Sequence, residues 1–281
     1  MFLLEAMEGA VTQIQTSHFT FNLSTTNNHA RGIWYSQYLQ VGDTKKPCLS
    51  LTIHTSDAEA LFGPTIIKTA RLSKIEALYT CVLDDKHTFD KYSFGKELLS
   101  WVVQYIKGNF KHVEYLQLDD ESYIPCNRES NETLDLLTYS IALYGKTWYE
   151  LHFNAIISDK NLYNTYLSQV ETYKSNATKS EILWDRFFLQ YVTLPYAKDI
   201  ITANEEYYKN MYDTSLNFPE FFRKVKDGIG ENKCKFFKGW LQEFISSHIN
   251  INRRWTIPIT QRGGSKTRKQ RHSRKALRTN H

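Results

Sequence analysis

The spacing of apolar residues changes once along this chain, and that change most limits how it can fold. Through the first ninety residues apolar positions recur every second residue, as in Phe19-Thr-Phe-Asn-Leu23 and in residues 32–41, 49–53 and 75–83. Period-two alternation belongs to strands with one buried face, and the polar turn Gly42-Asp-Thr-Lys-Lys-Pro47 between two of them predicts an antiparallel meander. Beyond Ser93 the period becomes 3.6. Leu98, Leu99, Val102, Val103 and Ile106 then line one side of a helix that Ser93 caps and Gly108-Asn109 ends. A strand at 112–118, a polar loop at 119–127, a helix at 133–144 stopped by Gly145 and an alternating strand at 148–153 complete the block.

These elements predict an α/β (α+β) fold, a mixed and mostly antiparallel sheet with flanking helices. From Asp159 to Ile249 the pattern is helical throughout, with segments expected at 160–173, 180–192, 197–212, 219–227 and 232–248. The chain thus divides into an α/β domain at 1–157, a C-terminal helical annex at 158–250 and a disordered basic tail at 251–281. No repeat at a fixed period is visible.

Charge is distributed as unevenly as hydropathy. The chain holds 35 Lys/Arg and 30 Asp/Glu, yet the last twenty residues, 262–281, hold eight Lys/Arg and no acid. A body of net −3 is therefore joined to a segment of net +8, and such a segment seeks polyanions. Lys266, Arg268, Lys269, Arg271, Arg274, Lys275 and Arg278 are its expected nucleic-acid contacts. With few aromatics and no groove-reading motif, the binding would be sequence-independent and weakened by salt. A nuclear-localisation role for 266–275 uses the same residues.

Several classes are set aside. Cys48, Cys81, Cys126 and Cys234 are widely spaced, without a Cys-x-x-Cys pair or a His at ligand spacing, so no metal site is expected and the cysteines read as reduced thiols. Glu5 and Glu8 interrupt the apolar start, and no run approaches the ~18 apolar residues of a membrane span. An intracellular location is expected, with no membrane partner. The sequons at Asn22, Asn131 and Asn176 then read as chance. Aromatics make up 14% of the chain and are spread along its length, the pattern of core and half-buried sheet.

Two resemblances follow from particular segments. The order of elements from 19 to 153, with residues 93–107 opening a helix and Ala142-Leu-Tyr-Gly-Lys-Thr-Trp148 ending another, resembles the GNAT superfamily of N-acetyltransferases. The resemblance implies acetyl-CoA as cofactor, an acyltransferase activity on an amine, and a helix N-terminus that takes the cofactor's pyrophosphate. Its cofactor residues would be Cys81, Leu83, Ser93, Phe94, Gly95 and Lys96. The acid that protonates the leaving thiolate would be Tyr144 or Tyr139, and the base Glu76 or Asp84. Only Gly95 of the family's glycine loop is present, and Glu97 stands where a small residue is expected. Leu116-Gln-Leu-Asp-Asp-Glu-Ser122, Leu143-Tyr-Gly-Lys-Thr-Trp-Tyr-Glu150 and the Gly-Gly-x-Lys-Thr-Arg-Lys tail are also similar to uncharacterised proteins of nucleocytoplasmic large DNA viruses. That likeness implies viral origin, and with it host cytoplasm or nucleus, or a virion, as the location.

Two functions remain open at this point: an N-acetyltransferase of unknown acceptor with a nucleic-acid-binding tail, or a non-catalytic virion or DNA-packaging component. A CoA arm needs the strands at 75–83 and 112–118 to splay above Gly95. A tightly paired sheet there favours the second reading.

Overall fold

The computed structural model describes residues 5–7, 11–30, 33–43, 45–59, 63–75, 79–83, 91–125, 133–192, 195–229 and 233–259. The alternating first third forms β1 (Glu5–Met7), β2 (Val11–Gln15), β3 (Thr20–Ala30), β4 (Ile33–Gly42) and β5 (Pro47–His54). A short helix α1 (Pro64–Ile67) leads into β6 (Thr69–Ile75), followed by helix α2 (Lys91–Asn109), β7 (Tyr115–Asp119), and the pair β8 (Tyr123–Pro125) and β9 (Thr133–Asp135). The helical stretch comprises α3 (Leu136–Tyr144), α4 (Trp148–Phe153), α5 (Lys160–Tyr173), α6 (Asn176–Ser180), α7 (Trp184–Tyr191) and α8 (Pro195–Thr202). It continues through α9 (Glu205–Asp213), α10 (Phe218–Ile229), α11 (Lys233–Phe237) and α12 (Trp240–His248), after which the chain returns to the sheet as β10 (Arg254–Pro258).

The sheet runs β1-β3-β4-β5-β6-β7-β10, with β2 also on β3. All its pairs are antiparallel except β6 with β7, which α2 joins as a parallel crossover. The predicted class is therefore observed: a mixed, largely antiparallel sheet with helices.

Each strand's alternation separates the sheet's two faces. On one face Phe21, Leu39, Leu51, Leu72 and Leu116 are buried beneath α2, whose Phe94, Leu98, Leu99, Val102 and Ile106 point inward at the helical period. Contacts across the layer fix the helix: Phe21 meets Trp101 edge-on, 5.4 Å between centroids, and the Tyr105 hydroxyl donates to Gln37 Oε1 at 2.9 Å. The other face is polar. The register places Thr26, Tyr38, Thr52, Arg71, Gln117 and Thr256 side by side across six strands.

The helical stretch is not separate from the sheet, because the buried residues of both form one continuous core. Helix α3 is buried from Leu137 to Leu143 and packs on α10 and α12. Its last carbonyls are used from outside: the Tyr173 hydroxyl donates to that of Ala142 at 3.0 Å, and Arg223 to that of Leu143 at 2.6 Å, a cation at a helix C-terminus. Rings then fill the interior, with Phe187 against Tyr212, Phe221 and Phe244 at 5.1 to 5.5 Å.

Five expectations are corrected. Residues 148–153 form helix α4, because Thr147 and Glu150 close a capping box at its start. The strand expected at 75–83 ends at Ile75, and Tyr79–Cys81 is a 3-10 turn. The helices expected at 180–192, 197–212 and 232–248 are each interrupted, the last at Gly239 with φ 84°. Residues 254–258, assigned to the tail, are a strand paired with β7. Finally, Cys48 and Cys81 form a disulfide, Cys234 is also disulfide-bonded, and no described cysteine is free. The fold brings Cα atoms 33 residues apart in sequence to within 6.1 Å, so the argument from reduced thiols to an intracellular location falls. Gly42, at φ +90°, makes room for this bridge, since a Cβ there would lie 2.6 Å from the Cys81 sulfur.

Candidate functional site

Helix α2 begins at Lys91, so its unpaired amides belong to the first four residues and not to Gly95, whose amide lies inside the helix. Phe94 is buried against Phe19, 5.1 Å between ring centroids. Gly95 is half-buried, and Lys96 is exposed, with α4 near enough that its charge acts on His152. Burial first, and then Lys96, hold that imidazole below its ordinary range. Ser93 lies in the helix, and its side chain is outside the described residues.

Glu97 is turned to the β2–β3 connection. Its carboxylate accepts from the Ser17 hydroxyl and the His18 amide, both at 3.0 Å. Burial pulls its pKa up, but hydrogen bonds from Thr16, His18 and Ser17 outweigh this and hold it below the usual value. The residue that departs from the GNAT pattern thus anchors α2 to the meander. Cys81 is buried in the disulfide, and the exposed Leu83 donates its amide to the Thr20 carbonyl at 2.8 Å.

The expected catalytic residues are not gathered at this helix. Tyr139 is buried, its ring edge-on to Phe237 at 5.6 Å. Tyr144 ends α3 and is exposed, ahead of Gly145 in the left-handed conformation. Glu76, Asp84 and the seven cations from Lys266 to Arg278 lie outside the described residues. Strands β6 and β7 pair from Thr69↔Tyr115 through Leu72↔Leu118, ahead of the 75–83 segment at which the splay was expected. Among the described residues no group of three His, Cys, Asp or Glu side chains converges as a metal site, and no helix is long and apolar enough to cross a membrane.

The carboxyl end of β7 gathers chemistry that the sequence reading missed. Asp120, read as part of the polar loop at 119–127, is fully buried. Its Oδ1 accepts from the Ser122 amide at 3.1 Å and from the Ser122 hydroxyl, and its Oδ2 has no hydrogen-bond partner. Burial pushes this carboxyl up to about 6; the Ser122 hydrogen bonds and the Arg253 charge oppose the shift, and Asp135 adds to it. Arg253 donates to the Asp120 carbonyl at 2.9 Å and to Asp135 Oδ2 at 2.6 Å. Burial, and then the neighbouring Asp120, raise the Tyr149 phenol.

Beside this network lies a cavity of about 560 Å³, lined by Gln117, Asp119, Ser158, Leu162, Arg253 and Arg254 among others. Asp120 does not line it, so the buried acid reaches no ligand there. Asp119 is paired with Arg254 at 3.0 Å and Arg71 at 3.7 Å, and Asp159 caps α5 through the Asn161 and Leu162 amides. The network joins strand, hairpin and helix; its carboxylates are engaged by these partners, while Arg71 and Arg254 share the single acid Asp119 and stay exposed.

No protein-family model, curated protein or solved structure matches the chain.

Proposed function

We propose that this chain is a non-catalytic nucleic-acid-binding component of a large DNA virus, with its polyanion contact in 262–281 and its GNAT-like α/β body as scaffold. The observation that carries the reading is the separation of charge, eight Lys/Arg without an acid in twenty residues joined to a body of net −3. Two features support a body without catalysis: the engaged Glu97 and the burial of Tyr139. The disulfides fit a virion, where such bonds persist. Fluorescence anisotropy with duplex DNA tests the reading. Full-length protein and a Gly95→Glu variant should bind, and a chain lacking 262–281 should not; equal binding by full-length and truncated protein at low salt would overturn it.

A second reading, acetyl transfer from acetyl-CoA to an amine, is favoured by the β6–α2–β7 crossover, which sets the start of α2 after the carboxyl end of β6. Calorimetry and thermal shift with acetyl-CoA decide it: heat and a raised Tm support transfer, and silence in both removes it.

A further inference from the structure

The polar face of the sheet is at least partly exposed from Thr26 to Gln117 and closes only at Thr256, which is buried and bonded to Ser158. A strand face that packs on a helix carries aliphatic side chains, as the α2 side does, whereas the row from Thr26 to Thr256 contains none. Tyr38 is half-buried in that row, and Tyr115, one residue pair along on the same face, is 39% exposed. Arg71 and Arg254 flank them, with side chains 67% and 62% exposed and Asp119 as their shared partner. At an interstrand spacing of about 4.8 Å, the three strand steps and one pair step between Tyr38 and Tyr115 place the two rings roughly 16 Å apart.

We propose that this face, from Tyr38 to the cavity beside Arg254, is a platform for single-stranded nucleic acid, with bases stacked on Tyr38 and Tyr115 and phosphates near Arg71 and Arg254. The proposal rests on the nucleic-acid reading above and names its substrate class. Three arguments choose this occupant. Rings on a sheet stack unpaired bases of any sequence. Among the described residues this face presents no helix or ribbon to enter a duplex groove. The cationic segment is also tethered at the same sheet: β10 is the edge strand of the order, and 22 residues follow Ile259. Their fully extended reach, at most about 75 Å, exceeds the roughly 30 Å across seven strands.

The test is anisotropy with labelled poly-dT and with a duplex of equal length, at one salt concentration. Changing Tyr38→Ala and Tyr115→Ala together should weaken poly-dT binding about tenfold or more and leave duplex binding unchanged, since base stacking is lost and the tail is kept. Arg71→Glu, an exposed change that spares the core, should weaken poly-dT in the same direction, and it decides the matter should the double variant fail to fold. Unaltered poly-dT binding in folded variants overturns the platform while leaving the tail reading intact. Loss of duplex binding with retained poly-dT binding after deletion of 262–281 supports the platform on its own. Failure of the full-length chain to bind either strand form overturns both.

Discussion

Arg253 and Asp135 meet at 2.6 Å, and each is already committed elsewhere: Arg253 to the Asp120 carbonyl, and Asp135 Oδ1 to the Thr138 amide at the start of α3. One carboxylate therefore caps the most buried helix and fixes the segment that enters β10. Asp135→Ala should lose both, at about 1 kcal/mol for the cap and a comparable amount for the half-exposed ion pair. Urea denaturation should place the variant about 2 kcal/mol below wild type. A change within a few tenths would mean that neither contact matters.

Asp120 makes stability depend on pH in an unusual direction for an aspartate. Burial raises its folded pKa from the ordinary aspartate value to about 6, so its contribution is fully present below the unfolded value near 4 and is lost as pH rises through about 6. Asp135, Arg253, Ser122 and Tyr149 are the groups that act on it. Asp120→Asn should flatten the wild-type decline between about pH 4 and pH 7. At pH 8 it should be the more stable protein, by up to about 3 kcal/mol from two pKa units. Parallel wild-type and variant curves across this range would refute the assignment.

The Cys48–Cys81 bridge closes a loop with a sequence separation of 33. Loop-closure entropy for that length corresponds to about 3–4 kcal/mol, most of it acting on the unfolded chain. Thermal unfolding under oxidising conditions should show a Tm lower by several degrees in the Cys48→Ser, Cys81→Ser double variant than in wild type, and a reductant, which also opens the bridge at Cys234, should lower wild type at least as far. An unchanged Tm in the double variant would remove the bridge from the list of stabilising elements.

Much of the fold was legible because it depends on local signals. Helix α5 has the expected bounds, 160–173, since Asp159 caps a clean 3.6-residue period, and Gly145 ends α3 as read. The alternation of residues 148–153 reads as a strand, and the capping box at Thr147 and Glu150 that makes them a helix is a local signal the reading passed over. Asp120 was hidden in an acidic run, although it continues the buried series Leu116 and Leu118. Its burial is completed by Arg253, 133 residues away, and no local pattern reports a closure of that range. Likewise Trp255 and Ile257 alternate as core residues, yet their partner strand lies more than a hundred residues earlier.

Salt dependence measures how many of the tail's charges meet phosphate. Each neutralised phosphate of a duplex contributes about −0.9 to the slope of log K against log salt, so the eight Lys/Arg of 262–281 set a limit near −7. Single strands, at about −0.7 per contact, set it near −6. Changing Lys266, Arg268 and Lys269 to Ala should make the duplex slope shallower by about 2.7 and weaken every duplex sequence alike, because phosphate contacts carry no base information. A full-length slope near zero would mean that binding, if observed, does not run through the cationic segment. A slope that survives the triple change would move the contact to the sheet face and its arginines.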